Sequence, residues 1–88
     1  MNEIEIERQL KVLANRRRLS ILNLLRKRKE ADVTAISEVI RLSFTSTSKH
    51  LTMLERAGFV EKEQRSLNVF YRLSKDAPKI TRSILAMF

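Results

Sequence analysis

The sequence has no cysteine and only one histidine, His50, among its 88 residues. Because disulfides, thiol nucleophiles and thiolate metal sites all need cysteine sulfur, these three kinds of chemistry are excluded. One histidine per chain cannot build a multi-histidine metal site. No glycine-rich phosphate loop and no histidine–carboxylate–hydroxyl set accompanies His50, so the sequence argues against an enzyme and against a bound cofactor.

Glycine and proline are equally scarce, since Gly58 and Pro78 are the only examples. This scarcity of chain breakers favours helices over a turn-rich sandwich. The longest apolar run, from Ile84 to Phe88, is too short to cross a membrane, and the acidic N-terminus lacks the positive charge of a signal peptide. We therefore expect a cytoplasmic protein without a membrane partner.

Basic residues outnumber acidic ones, with 18 Lys and Arg against 10 Asp and Glu and a net charge of +8. Such an excess indicates a polyanionic partner, nucleic acid first and anionic lipid second. The acidic first helix disfavours the lipid. Residues 15–30 hold seven basic side chains and one acidic one, whereas residues 43–58 hold two and one. This distribution predicts affinity from contacts with the DNA backbone and base specificity from few residues.

Helical spacing of apolar residues predicts four helices before Gly58. The first covers about residues 3–14, and the third covers about residues 34–40. Asn15 and Ser43 are suited to cap the N-termini of the second and fourth helices. The fourth helix is predicted to bury one apolar face, made of Phe44, Thr47, Leu51 and Leu54.

After Gly58 the pattern changes to two short strand-like segments, residues 59–63 and 68–73, separated by a polar tip. A last helix is predicted from near Asp76, with Pro78 in its first turn. This order of elements predicts a mainly α (α+β) fold. It is a winged helix-turn-helix of about five helices with a two-stranded β-hairpin wing, forming one domain over residues 1–88.

The third and fourth helices are joined by only a few residues and form the helix-turn-helix, whose second helix enters the major groove in such folds. Hydroxyls and a lysine occupy the first half of that helix, and arginines open the second helix. The predicted contacts with double-stranded DNA are Thr45, Ser46, Ser48, Lys49, His50, Arg16, Arg17 and Arg65. His50 has two open roles, support of the helix or contact with a phosphate, and Arg18 has pairing with an internal acid as an alternative to DNA.

Residues 48–58 read Ser-x-His-Leu-x-x-Leu-x-x-Ala-Gly, and together with residues 10–15, 18–22 and 71–74 they resemble the ArsR-type (arsenical-resistance repressor) winged-helix family. The resemblance covers roughly residues 8–75. It implies a homodimeric transcriptional regulator, usually a repressor, in a prokaryotic cytoplasm. It also implies a dimer interface built from the two outer helices, with Ile6, Leu10, Ile80, Ile84, Met87 and Phe88 as its predicted residues.

Metal-sensing members of that family carry a Cys-x-Cys pair before the recognition helix, and the matching positions here are Asp32 and Thr34. Neither offers a soft ligand. A second sensing site uses Asp and His on the last helix, where this chain has Asp76 but no histidine. We therefore expect no metal site and no response to metals, and the sequence identifies no small-molecule effector. Two other functions stay open, a winged-helix protein–protein adaptor and a nonspecific architectural DNA-binding protein.

Overall fold

Five helices and three short strands make up the fold, and the structure, a computed structural model, describes residues 1–88. In chain order they are α1 (Glu3–Leu13), α2 (Arg16–Arg28), β1 (Ala31–Asp32), α3 (Val33–Ile40), α4 (Phe44–Arg56), β2 (Val60–Arg65), β3 (Asn68–Leu73) and α5 (Ile80–Leu85). The winged helix-turn-helix prediction is confirmed. None of the helices combines the length and the apolar character that a bilayer crossing requires.

Side-chain caps define where four of the five helices begin, as the sequence predicted for α2 and α4. The Asn15 carboxamide oxygen accepts from the backbone N–H groups of Arg17 and Arg18, and the Ser43 hydroxyl accepts from Ser46. The α4 helix ends at Arg56 with Ala57 as its C-cap, and the next residue, Gly58, has a φ of +84°, in the left-handed region that glycine adopts without strain. These caps fix both ends of the helix that carries the predicted DNA contacts.

The core is organised around α2, which contacts the other four helices and β3. Its Ile21 and Leu22 side chains are fully buried, and they share one apolar cluster with Leu51 and Leu54 of α4. Burying each such side chain contributes about 1.5–3 kcal/mol. The back of α4 is therefore held firmly against α2, and its opposite face stays on the surface.

The sheet has one strand more than the predicted hairpin. Its order is β1-β3-β2, all antiparallel, with Ala31 opposite Tyr71 and Arg65 opposite Asn68. β1 was missed because two residues are too few for an alternating pattern to show. At the hairpin turn Ser66 takes a φ of +56°, the conformation for which a glycine would have been the usual choice.

The start of α5 was predicted wrongly, because the helix begins at Ile80 and not near Asp76. The Ser74 hydroxyl accepts from the Asp76 N–H at 3.2 Å, and the Ser74 carbonyl accepts from the Ala77 N–H at 3.2 Å. Such local bonds stabilise a turn in competition with a helix. Pro78 also disfavours the helical conformation for the residue before it.

Candidate nucleic-acid interface

The turn between α3 and α4 contains three residues, Arg41 to Ser43. Arg41 has a φ of +55°, and the Leu42 N–H donates to the Ser37 carbonyl at 3.1 Å. Leu42 also packs against the core cluster. This short, hydrogen-bonded turn holds α4 at a fixed angle across α3, which is the geometry of a helix-turn-helix.

The α4 helix has a sealed back and a polar front. Thr47, Leu51 and Leu54 are fully buried on the back. A shallow groove runs along the front and is lined by Phe44, Thr45, Ser48, Lys49, Thr52, Met53 and Arg56. Three of the predicted DNA contacts, Thr45, Ser48 and Lys49, therefore lie together. The rotation of 100° per residue in a helix also places Thr52 and Arg56 on this face.

The cations of this groove are available to a ligand. Neither Lys49 nor Arg56 takes part in a salt bridge. Ser46, another predicted contact, is half-buried and does not line the groove, and its backbone N–H is held by the Ser43 hydroxyl. The groove on the front of α4 thus offers three hydroxyls, those of Thr45, Ser48 and Thr52, and two cations without an ion-pair partner.

Phe44 does not lie where the sequence predicted. It was expected on the buried face with Thr47, but its side chain is 58% exposed at the first position of α4. The core contact begins one turn later, at Thr47, so the first turn of the helix projects beyond the surface on which the rest of α4 packs.

Arg18 is buried beneath α4 and is only 8% exposed. Its Nε donates to the Val12 carbonyl at 2.6 Å, and its Nη1 lies 3.2 Å from Nδ1 of His50 and 3.3 Å from Sδ of Met53. We call these four groups the Arg18 junction. Pairing of Arg18 with an internal acid was a wrong expectation, because its partners are a carbonyl, an imidazole and a thioether. The junction ties the end of α1 to α4.

His50 accepts from Arg18 rather than facing the groove. Burial lowers the pKa of its imidazole below the usual 6.5, and the positive charges of Arg18 and Arg17 lower it further. The ring is therefore neutral at pH 7, with Nδ1 as the acceptor and the proton on Nε2. Of the two roles left open for His50, this placement favours support of the helix.

The two predicted arginines at the start of α2 have different surroundings. Arg17 donates through Nη1 to the carbonyls of Ile40 and Arg41, where it caps the C-terminus of α3. Arg16 is exposed and unpaired, at the edge of a groove between α2 and α3 that Arg41 also lines. Arg16 is thus the freer of the two for contact with a phosphate.

Arg65 lies next to the wing turn, but carboxylates already hold its guanidinium. Both terminal nitrogens donate to Glu30 at 2.8 Å, one also donates to Glu63 at 3.0 Å, and the group lies 4.6 Å from the centre of the Phe70 ring. Arg72 bridges Glu61 and Glu63 beside it. The members of this wing network are Glu30, Glu61, Glu63, Arg65 and Arg72.

Hydrogen bonds from Arg65 lower the pKa of both the Glu30 and Glu63 carboxyls, and the same bonds raise the pKa of Arg65. Glu30 is 35 residues before Arg65 and reaches it only because it directly precedes β1. The missed strand is therefore also the reason why the sequence did not show the pairing of Arg65 with Glu30.

The predicted dimer residues form an apolar surface on α1 and α5. One groove has only apolar side chains, and it is lined by Leu10, Leu13, Ala14, Leu19, Ile84, Met87 and Phe88. Met87 is 78% exposed and Phe88 is 58% exposed. Ile6 lies beside Leu10 on the exposed face of α1, while Ile80 packs partly against the core.

The positions that match metal ligands in relatives are used differently here. The Asp32 carboxylate accepts from the Ala35 N–H at 2.8 Å and caps α3, and Thr34 is exposed beside it. No three His, Cys, Asp or Glu side chains come together as a potential metal site.

Comparison with known proteins agrees with the fold. The model of the arsR family of bacterial regulatory proteins matches residues 15–62. The chain is 38% identical over 76 residues to the transcriptional activator HlyU of Vibrio cholerae, covering 86% of this chain and 69% of HlyU. It is 31% identical over 71 residues to the transcriptional repressor PagR of Bacillus anthracis, covering 81% and 69%.

Solved structures extend this similarity to the whole fold. A structure of Vibrio cholerae HlyU superposes with a TM-score of 0.83 at 32% identity, covering 99% of this chain and 94% of HlyU. A homodimeric winged helix-turn-helix DNA-binding domain from Mycobacterium bovis gives 0.77 at 32% identity, covering 94% and 73%. The fold and the α4 surface define a winged helix-turn-helix transcriptional regulator. The chain belongs to the ArsR family of bacterial regulatory proteins.

Proposed function

We propose that this protein is a homodimeric, sequence-specific regulator that binds double-stranded DNA in the bacterial cytoplasm through the front of α4. The observation that carries the proposal is the division of α4 into a fully buried back and a front where Ser48 lines the groove between an exposed Thr45 and an exposed, unpaired Lys49. A helix in the major groove needs this division, because it docks on its own domain through one face and meets base edges and phosphates with the other.

Within this interface we assign direct contacts to Thr45, Ser48 and Lys49, and a phosphate contact to Arg16. Thr45, Lys49 and Arg16 are exposed, and the half-buried Ser48 lines the same groove as Thr45 and Lys49. Neither Lys49 nor Arg16 takes part in an internal ion pair, which also supports this assignment. The other predicted contacts act less directly. Ser46, Arg17 and His50 hold the helix-turn-helix in place through the bonds described above. Arg65 contacts a phosphate only if it gives up its bonds to the carboxylates of Glu30 and Glu63.

For the dimer we propose that the apolar surface of α1 and α5 packs against a second copy. The support is the wholly apolar groove with the exposed Met87 and Phe88 beside it, together with the homodimeric state of the Mycobacterium bovis relative. A dimer would place two α4 helices in successive major grooves, about 34 Å apart. Sedimentation should show a dimer at micromolar concentration and a monomer for the double variant Leu10→Glu with Ile84→Glu. A monomeric wild-type chain would contradict this arrangement.

We further propose repression that does not depend on metals. The capping role of Asp32 and the absence of cysteine support metal independence. The similarity to the repressor PagR supports repression, whereas the similarity to the activator HlyU makes activation the alternative that the experiment must separate. Adding zinc or arsenite should leave DNA affinity unchanged, and a large drop would contradict metal independence. Transcription in vitro from a promoter that contains the selected site should fall when the protein is added, and a rise would indicate an activator.

The experiment that tests the proposed function is selection of bound sequences from random duplex DNA. The expected result is a palindromic consensus, because two identical α4 helices read two identical half-sites. Retention without a motif, sensitive only to salt, would indicate an architectural protein. No retention at low salt would indicate an adaptor that binds another protein.

A further inference from the structure

The exposed ring of Phe44 is the feature of the α4 front that the proposed function has not used. It occupies the first position of the helix, 58% exposed, and it lines the same groove as Thr45, Ser48 and Lys49. Ser43 caps the helix beside it through the Ser46 N–H at 3.1 Å. The cap fixes the first turn, so the ring is presented from an ordered backbone.

From this position we propose that Phe44 determines base specificity by packing against the C5 methyl group of a thymine in the major groove. The inference rests on the proposed function, since it names what the α4 front recognises. Thymine alone among the four bases presents a methyl group in that groove, and an apolar side chain is its natural contact. The hydroxyl of Ser48 and the ammonium group of Lys49 recognise acceptors and donors instead, and Thr45 offers a single methyl group where Phe44 offers a whole ring.

Met53 is the other exposed apolar side chain of the groove, and it is less suited to the role. It lies nine residues after Phe44, about 13 Å along the helix. Residues near the N-terminus of a recognition helix are the ones that usually contact base edges. The Met53 sulfur also accepts from Arg18 at 3.3 Å, which ties that side chain to the Arg18 junction.

The test replaces single thymines of the selected site with deoxyuridine, which pairs identically and lacks only the methyl group. We expect one thymine in each half-site at which this replacement weakens binding by about fourfold, the value for one buried methyl group, and by about fifteenfold when both half-sites are changed. Phe44→Ala should bind the thymine and deoxyuridine duplexes equally, whereas Phe44→Leu, which keeps an apolar contact, should retain most of the discrimination.

The matched control is Leu67→Ala at the wing turn, an apolar side chain that is 94% exposed and should leave the ratio unchanged. Equal binding of both duplexes by the wild-type protein at every thymine would overturn the Phe44 inference while leaving the proposed function standing. Discrimination that survives in Phe44→Ala would overturn it too. A change of oligomeric state in Phe44→Ala would also overturn it, since the ring would then belong to a protein interface. If the wild-type protein selects no site, both proposals fail.

Discussion

Two regions of this small domain hold arginines in opposite ways. In the Arg18 junction a buried guanidinium meets backbone and side-chain acceptors without any carboxylate. In the wing network an exposed guanidinium, that of Arg65, is held by two carboxylates. Both arrangements satisfy a cation, but only the first connects separate helices beneath the DNA-binding surface.

This difference separates the positive charges that stabilise the fold from those that are available to bind DNA. Removing a buried donor leaves its acceptors without partners in a medium of low dielectric constant, and this is costly. An exposed ion pair contributes little, because water and salt screen it. Displacing the wing carboxylates from Arg65 should therefore cost little stability, while removing a donor from the Arg18 junction should cost more.

The largest expected effect comes from Arg18→Met, which keeps the bulk of the side chain but removes its donors. We expect the free energy of unfolding to fall by about 1–3 kcal/mol, because the Val12 carbonyl and His50 lose their donor. Urea unfolding measures this change. Arg65→Met is the matched control and should shift the unfolding midpoint much less. Equal losses in the two variants would contradict the claim that Arg18 contributes more to the stability of the fold than Arg65.

Next in size is the effect of Lys49→Ala on DNA binding. We expect affinity to fall by roughly tenfold and the salt slope to drop by about two for a dimer, since each copy loses one phosphate contact. Lys79→Ala, an equally exposed lysine in the loop before α5, removes the same charge and should change little. Fluorescence anisotropy at several salt concentrations measures the affinity and its salt slope. Identical slopes for both variants would show that Lys49 does not contact a phosphate.

Titration of His50 should produce a smaller, pH-dependent effect. Its pKa in the folded protein is below the usual 6.5, so the unfolded chain takes up a proton first as the pH falls. The stability that the neutral ring contributes is therefore present above about pH 6.5 and is lost as the pH falls through and below that value. His50→Asn supplies a non-titrating acceptor for Arg18.

Urea midpoints at about pH 7.5 and about pH 5.5 should thus differ more for the wild-type protein than for His50→Asn. No other side chain has a usual pKa in this interval, because histidine occurs only once. The same pH dependence in both proteins would show that the Arg18 junction tolerates a charged imidazole.

The smallest expected effect concerns the wing. The double variant Glu30→Gln with Glu63→Gln removes the two carboxylates that hold Arg65. DNA affinity should rise a few fold and the salt slope should steepen, because the guanidinium becomes free for phosphate. Binding curves for the double variant with and without Arg65→Ala separate this contribution. An unchanged affinity would mean that the wing does not reach DNA.

The sequence predicted the parts of the molecule that depend on local pattern. The caps at Asn15 and Ser43 and the stop at Gly58 are confirmed, because each depends on residues within one helical turn. What it missed depends on contacts between distant segments. β1 lies next to β3 through the pairing of Ala31 with Tyr71 and of Asp32 with Phe70, and Tyr71 is 40 positions after Ala31 in the chain.

The candidate site shows the same division. Periodicity alone placed Lys49 and Thr45 on the front of α4, as the structure does. Periodicity also placed Phe44 on the back, since it cannot tell where along a helix the packing surface begins. The contacts of Arg18 with His50 and of Arg65 with Glu30 were out of reach for sequence reasoning, because these partners are 32 and 35 residues away along the chain.

The most direct test of the central claim, that the front of α4 meets DNA, is an NMR titration of the ¹⁵N-labelled protein with its selected duplex. The largest amide shifts are expected over the first half of α4 and the start of α2, with the wing turn affected less. Shifts confined to α1 and α5, or absent from the residues around Lys49, would contradict the account.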